Sequence, residues 1–481
     1  MSPVIIIHYH LRAGGVSSVI QSQIEALKQA NRECLILCSE EPEVVCDTPY
    51  VILPNLKYLT GSTTRYRDSF NLYKDCLTQA YLHFGEQDPI WLIHNPTLGK
   101  SALMSIFVSF LARDRRALLL QCHDLAEDGR PKNYQNIPDP QKLYPLAENI
   151  HYAFINPRDL ARFRNAGLEA HQSHLLESCV SPTKIHRTPL SAPLILYPVR
   201  GIRRKNLGEL LLWSLLAPPN TTFALTLEPT EKQWRPYYTL WETLAQEMRL
   251  PVVFGCVEAC PDASFTDWLA SATHCLTTSI AEGFGLTFIE SHFHKIPLIG
   301  RDLPEITSQF KSTSKTSSSL YTSLLIPQEW INREDLKESL SIGLDSTRIP
   351  YGLPPLNGSL EKHIESLIFD GHCDFGNLPE YMQVKILYKL QDPSHQQRVL
   401  IKNLNGHTLP AKQWFADELQ QTSHTSVDLS YYTPESYLER FTNLLECVEN
   451  SSRHSPYWLS PDSVLKQYSA PRDFHFLQSF E

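Results

Sequence analysis

The chain has 481 residues, 42% of them hydrophobic, and its 43 basic and 52 acidic side chains give a formal net charge of -9. At about 100–200 residues per domain, this length predicts two or three domains, and the composition excludes a globally disordered chain. The acidic balance excludes broad nucleic-acid binding, which needs a basic footprint.

The opening "MSPVIIIHYHLRAGG" has no basic segment ahead of its apolar run, and Val4 to Ile7 is too short for a secretory leader, so none is expected. "PVIII" reads as a buried strand, followed by a glycine-bearing loop. Val16, Val19, Ile20, Ile24 and Leu27 then recur at helical spacing, and "CLILC" is the next strand. Short apolar runs return at "IWLIH" (90–94), "ALLLQCHD" (117–124) and "HYAFIN" (151–156). Apolar strands alternating with helices predict a parallel sheet covered on both faces.

"CVSPTKIHRTPLSAPL" (179–194) has three prolines among small polar residues and reads as a break, with residues 181–193 as an interdomain linker. A second alternating series follows: "LILYPV" (194–199), "TFALTL" (222–227), "VVFG" (252–255), "HCLTTS" (274–279) and "IPLIG" (296–300). The expected fold class is α/β, with one Rossmann-like domain over 1–180 and a second over 194–451. Two such domains in tandem leave a cleft, and open α/β sheets bind ligands beyond the carboxyl ends of their strands.

After Thr307 the alternation weakens. "SQFKSTSKTSSSLYTS" (308–323) reads as a loop, while "EDLKESLSIGL" and "EYMQVKILYKLQ" read as helices. "YTPESYLERFTNLLECVENS" (432–451) is a helix with Thr433 as cap and Pro434 in the first turn. Residues 308–431 are read within the second domain either as an insertion that shapes the acceptor site or as a surface elaboration. The aromatic tail 452–481 is expected to pack back on the first domain.

The eleven cysteines show no zinc pattern: Cys34/Cys38 and Cys256/Cys260 are each C-x-x-x-C without a second pair at finger spacing. Their odd number and the chain's size argue against a disulfide framework, and a reducing cytoplasm is expected. No stretch approaches the ~20 apolar residues of a membrane span, which leaves at most peripheral membrane contact.

"TTSIAEGFGLTFIE" holds the most chemistry. Gly283 and Gly285 permit tight backbone geometry, and a helix should begin near Leu286 or Thr287, where free N–H groups can take a phosphate. Glu282 and Glu290 would repel phosphate, but carboxylates suit sugar hydroxyls. Amides for phosphate beside carboxylates for hydroxyls suit a nucleotide sugar. Positive charge is available from Arg200, Arg203, Arg204 and Lys205, between a strand and a helix, although a solvated basic turn reads equally well. His123 ends a strand of the first domain; a lone histidine is more often structural, and its place narrows that to near even. "HNPTLGKS" (94–101) ends in GKS but lacks the first glycine of a P-loop, and is read as a cleft loop near the acceptor. "SHFHK" (291–295) is H-x-H without a third ligand, so no metal is expected there.

Taken together, "GGVSSVI", "RGIRRKN" (200–206), the E-x7-E motif "EGFGLTFIE" (282–290), "GRDLPEIT" and the 432–451 helix resemble the GT-B glycosyltransferases of the large retaining family four. The likeness covers roughly residues 1–307 and 432–451. It implies that Glu290 binds the nucleotide ribose and that Glu282 contacts the donor sugar. The backbone of Gly283, Phe284, Gly285 and Leu286 would meet sugar and phosphates. Arg200 and Lys205 resemble the pair that grips the diphosphate; their spacing is one shorter than in some members, which makes Arg204 a rival for Lys205. Gly14 and Gly15 resemble the loop that closes near donor phosphate and acceptor, and His123 resembles a histidine near the reacting sugar. The resemblance further implies a UDP- or GDP-linked hexose donor, retention of configuration, and no metal or other cofactor. A catalytically inactive sugar-nucleotide-binding protein is the alternative from another class, and a GT-B epimerase or phosphorylase is a third reading.

Overall fold

A computed structural model describes residues 1–12, 14–43, 47–61, 65–180, 185–307, 319–356, 360–421 and 428–478. Its first sheet has seven parallel strands: β1 Val4–Ile7, β2 Cys34–Cys38, β3 Tyr50–Ile52, β4 Ile90–His94, β5 Ala117–Cys122, β7 Ile150–Phe154 and β8 Ser173–Leu175, in the order β3-β2-β1-β4-β5-β7-β8. Every residue of β1, β2, β4, β5 and β7 is buried, which is why these segments read as unbroken apolar runs. The Gly15–Gln29 helix lays Val19, Ile20, Ile24 and Leu27 on the sheet. Short β6, Pro145–Leu146, lies off this sheet.

The second sheet runs β11-β10-β9-β12-β13-β14 in parallel: β9 Leu194–Arg200, β10 Thr222–Leu227, β11 Val252–Val253, β12 His274–Thr277, β13 Leu298–Arg301 and β14 Leu320–Pro327. Strands β15 Ile368–Phe369, β16 His372–Asp374, β17 Leu400–Asn403 and β18 Thr408–Pro410 extend it with antiparallel pairs.

Three expectations change. Of the stretch 308–323 read as a loop, 308–318 lies outside the described residues, but Leu320–Ser323 begins β14, which pairs with β13 on one side and β17 on the other. Pairing on both sides makes a strand of a segment whose serine-rich lead-in hid Leu320 and the strand-favouring Tyr321 and Thr322. The segment read as an insertion is no appendage: Leu336, Leu340, Phe375, Met382, Trp414 and Phe415 share one core with β9 and β10. The Pro434–Glu449 helix, read as closing the second domain, crosses over and buries Tyr437, Phe441, Leu444, Leu445 and Val448 against β1, β2 and β4 of the first sheet.

The segment beyond it touches both halves. β19, Tyr457–Trp458, pairs with β6. In the Pro461–Tyr468 helix, Val464 joins the first core. Phe476 then enters the core of the second half, and Phe474 fills the space that Gly343 leaves by lacking a side chain.

Candidate active site

Polar residues gather where strands end, among them the sequence candidates His123, Arg204, Lys205 and Glu282. His8 follows β1, His94 ends β4, His123 follows β5 and Asn156 follows β7; Arg204 and Lys205 follow β9, and Glu282 follows β12. These carboxyl ends face a small cleft walled by His123, Asp124, Asp128, Arg130, Arg158, Arg204, Glu282 and Gly283 among others. The walls come from both sheets, and Asn156 Nδ2 closes the gap by donating to the Gly283 carbonyl at 3.0 Å.

Lys205 and Glu282 form a buried ion pair, with side chains 9% and 10% exposed. Burial pushes the Glu282 carboxyl up, but Lys205 and Arg204 pull harder and hold it below its ordinary range. Burial lowers Lys205 against the opposing pull of Glu282. The loop carrying Lys205 is fixed from several sides. Tyr197 Oη donates to the Lys205 carbonyl at 3.0 Å, and Thr278 Oγ1 donates to the same carbonyl at 2.9 Å. Asn206 takes the left-handed φ of 50° that starts the Leu207–Leu216 helix, and its amide donates to Glu209 at 2.7 Å. Glu209 in turn accepts from Arg301 at 2.6 Å, and Arg301 also binds Asp374 at 2.7 Å. A buried charge network thus stands directly behind the basic loop.

Arg204 differs from its neighbours. Arg130 is paired with Asp124 at 2.6 Å and Arg158 with Asp128 at 2.7 Å, whereas Arg204 enters no ion pair among the described residues. Its charge acts on Glu282 and Asp124 from a distance without a direct ion pair to either. Of the two rivals for the diphosphate, Lys205 is engaged by Glu282 and Arg204 is open.

The Leu286–Phe293 helix starts where the glycine spacing predicts. Gly285 sits at φ 82°, and a side chain there would meet Ile306 Cγ2 at 2.8 Å. Glu290 lies one turn inside. Its carboxylate has no hydrogen bond or ion pair among the described residues, and burial alone raises its pKa. It is a partly buried acceptor lacking a donor. Phe284 packs on Tyr432 at 6.0 Å between ring centres, and Leu286 is exposed.

Arg200, at the end of β9, gives Nη1 to the Glu228 carbonyl at 2.9 Å. Gly14 and Gly15 are exposed with open space around both. None of these three, nor Lys205, Phe284, Gly285, Leu286 or Glu290, walls the cleft around His123 and Arg204. Sequence reading missed Asp128, Arg158, Asp159 and Gln478. The first three carry the same signal as His123, polar residues just past a strand ("HDLAEDGR", "NPRD"). Gln478 carries none, because only the tail's return path brings it to the cleft, where its Nε2 donates to Asp128 Oδ1 at 2.9 Å. No cluster of three or more metal-ligating side chains occurs among the described residues, and no described helix is long and apolar enough to cross a membrane.

The chain has the fold of the GT-B glycosyltransferases, as the motifs predicted. Its α/β architecture is matched by a glycosyltransferase from Rickettsia africae (TM-score 0.53, 11% identity, 94% of this chain and 99% of that one) and by sucrose-phosphate synthase from Thermosynechococcus elongatus (TM-score 0.51, 16% identity, 93% and 98%). It is also matched by Anabaena HepE, solved with UDP-glucose (TM-score 0.50, 12% identity, 93% and 100%). In sequence, the chain is 26% identical over 421 residues to the mannosylglucosyl-3-phosphoglycerate synthase of Petrotoga mobilis, covering 80% of each. No protein-family profile matches the sequence.

Proposed function

We propose that this protein transfers a hexosyl group from a nucleotide diphosphate sugar to a hydroxyl acceptor, with retention of configuration and without a metal. One observation carries the reading: Glu290, a half-buried carboxylate without a donor among the described residues, sits one turn inside a helix whose N-terminus opens at Gly285. Vicinal ribose hydroxyls supply the missing donors, and the helix amides supply an anion site for the diphosphate. Arg204 offers the positive charge that a metal would otherwise bring to the departing diphosphate.

In the reaction, the bond from the anomeric carbon to the phosphate oxygen breaks and the acceptor oxygen bonds the same carbon on the same face. The acceptor proton passes to the departing phosphate oxygen, so no further base is consumed. The Petrotoga relative's name directs the choice of partners: we take a GDP- or UDP-linked hexose as donor and an anionic glycoside such as glucosyl-3-phosphoglycerate as acceptor. Cys76, Cys122, Cys179, Cys256, Cys260, Cys275, Cys373 and Cys447 are free thiols, which fits action in a reducing cytoplasm.

Thermal melting against a panel of nucleotide sugars tests the reading. A ligand that binds only the folded state adds about 2.7 kcal/mol at a hundredfold excess over its Kd. No shift with any UDP- or GDP-sugar or free nucleotide sinks the proposal, and activity lost to a chelator and restored by manganese sinks the metal-free mechanism.

A further inference from the structure

Three imidazoles cap neighbouring strands of the first sheet. His8, His94 and His123 are 3%, 0% and 7% exposed. His94 Nδ1 lies 2.8 Å from His123 Nε2 with the rings stacked, and His8 stands edge-on to His94 at 6.0 Å. Burial pushes His123 down to about 4 and, aided by His123, pushes His8 down to about 3; His94 is also held well below the usual histidine range, first by burial. All three are neutral near pH 7, and each neutral ring carries a single N–H.

One proton bridges His94 and His123, and two arrangements compete. If His123 holds it on Nε2, His94 must carry its own proton on Nε2. That atom is sealed from solvent and has no hydrogen-bond partner among the described residues. A buried N–H without an acceptor is among the rarest features of folded proteins. If His94 holds the proton on Nδ1, the sealed Nε2 is only a bare lone pair, a milder deficit. His123 then accepts through Nε2 and keeps its own proton on Nδ1. His123 Nδ1 has no partner among the described residues and is not among the sealed atoms, and the residue walls the cleft.

We infer that His94 is a positioning residue that locks His123 in the Nδ1–H tautomer, so that His123 offers the cleft a neutral hydrogen-bond donor and not a base. The functional consequence rests on the glycosyltransferase reading. There, Nδ1–H meets an oxygen of the sugar or phosphate, and the acceptor proton goes to the leaving phosphate and not to His123.

The test is nitrogen NMR of the whole protein labelled in histidine, with His123 assigned by the resonance lost in His123→Asn. The expected wild-type spectrum shows a protonated Nδ1 and a bare Nε2 on His123. His94→Asn, whose amide nitrogen falls near the lost Nδ1, should keep that pattern. His94→Leu should lose it, with kcat about 10–100-fold lower, and His94→Asn should recover most of that loss. A bare Nδ1 on wild-type His123 overturns the inference, as does a His94→Leu protein with the wild-type tautomer and kcat. The spectra need no substrate, so a failed nucleotide-sugar screen removes the donor reading and leaves the tautomer assignment to stand or fall alone.

Discussion

Removing Lys205 should damage stability and catalysis by separable amounts. The Lys205–Glu282 pair is about nine-tenths buried on both sides. Truncating one partner of such a pair leaves an uncompensated charge and costs about 3–5 kcal/mol. Arg204 also acts on Glu282 and remains, which places Lys205→Met at the lower end, about 3 kcal/mol. At about 2–4 °C per kcal/mol for a domain of this size, the melting temperature of the second half should fall by about 6–12 °C. Lys205→Met/Glu282→Leu removes the orphaned charge as well and should recover most of the loss, since an apolar pair often replaces a buried ion pair at little cost. Catalysis should not recover in the double variant.

The pH dependence checks the cause. In the wild type, Glu282 is held below its ordinary range, so it binds fewer protons folded than unfolded. Its contribution is present above the unfolded carboxylate pKa and is lost as pH falls through the lower folded value. Without Lys205, burial dominates and the folded pKa rises above the unfolded one. The sign then inverts: Lys205→Met should be least impaired near pH 4–5 and lose ground as pH rises toward 7. Calorimetry of the four proteins of the cycle between pH 4 and 8 measures both effects. A Lys205→Met protein that melts like wild type at pH 7, or a double variant no better than the single, refutes the argument.

Glu290→Ala removes a ground-state contact to the donor, so the expected change is a higher KM with kcat nearly unchanged, read by steady-state kinetics. Gly285→Ala forces a side chain onto Ile306 at a left-handed φ and should cost about 1–3 kcal/mol, visible as a lower melting temperature. Glu209→Ala opens the network behind the basic loop; it should destabilise by about 3–5 kcal/mol and lower kcat, although Glu209 does not wall the cleft.

Much of this was legible in the chain. The central strands of both sheets follow from apolar runs, because strands buried on two faces carry few polar residues, whereas the three-residue edge strands Tyr50–Ile52 and Ser173–Leu175 were not legible. The turn at Gly285 and the helix at Leu286 follow from glycine spacing. β14 was hidden, since "LYTSLLIP" becomes a strand only through partners far away in sequence. The engagement of Lys205 and the openness of Arg204 were equally hidden: adjacent basic residues look alike until one of them finds Glu282. The role of His94 needed coordinates too, because a sealed nitrogen cannot be read from residue type.

The return path of the tail explains how so many cleft residues come to lie on opposite halves yet touch. The Pro461–Tyr468 helix is fastened to the first half by Val464 and by Tyr468 Oη, which donates to Asp159 at 3.1 Å. Eight residues further, Phe476 is fastened in the core of the second half. Fully extended, eight residues span at most about 29 Å, so this strap caps how far the halves can part on that side. Tyr351 reinforces it, accepting from the Arg130 amide at 2.7 Å and donating to the Ala126 carbonyl at 2.8 Å. Asn156–Gly283, by contrast, is a single hydrogen bond of about 1 kcal/mol at the mouth of the glycine loop. Contacts are thus many at the strap and few at the loop. Arg158 Nε and Glu305 approach to 3.9 Å beside that hydrogen bond, so the glycine loop is held to the first half by few polar contacts, while the strap limits separation on its own side.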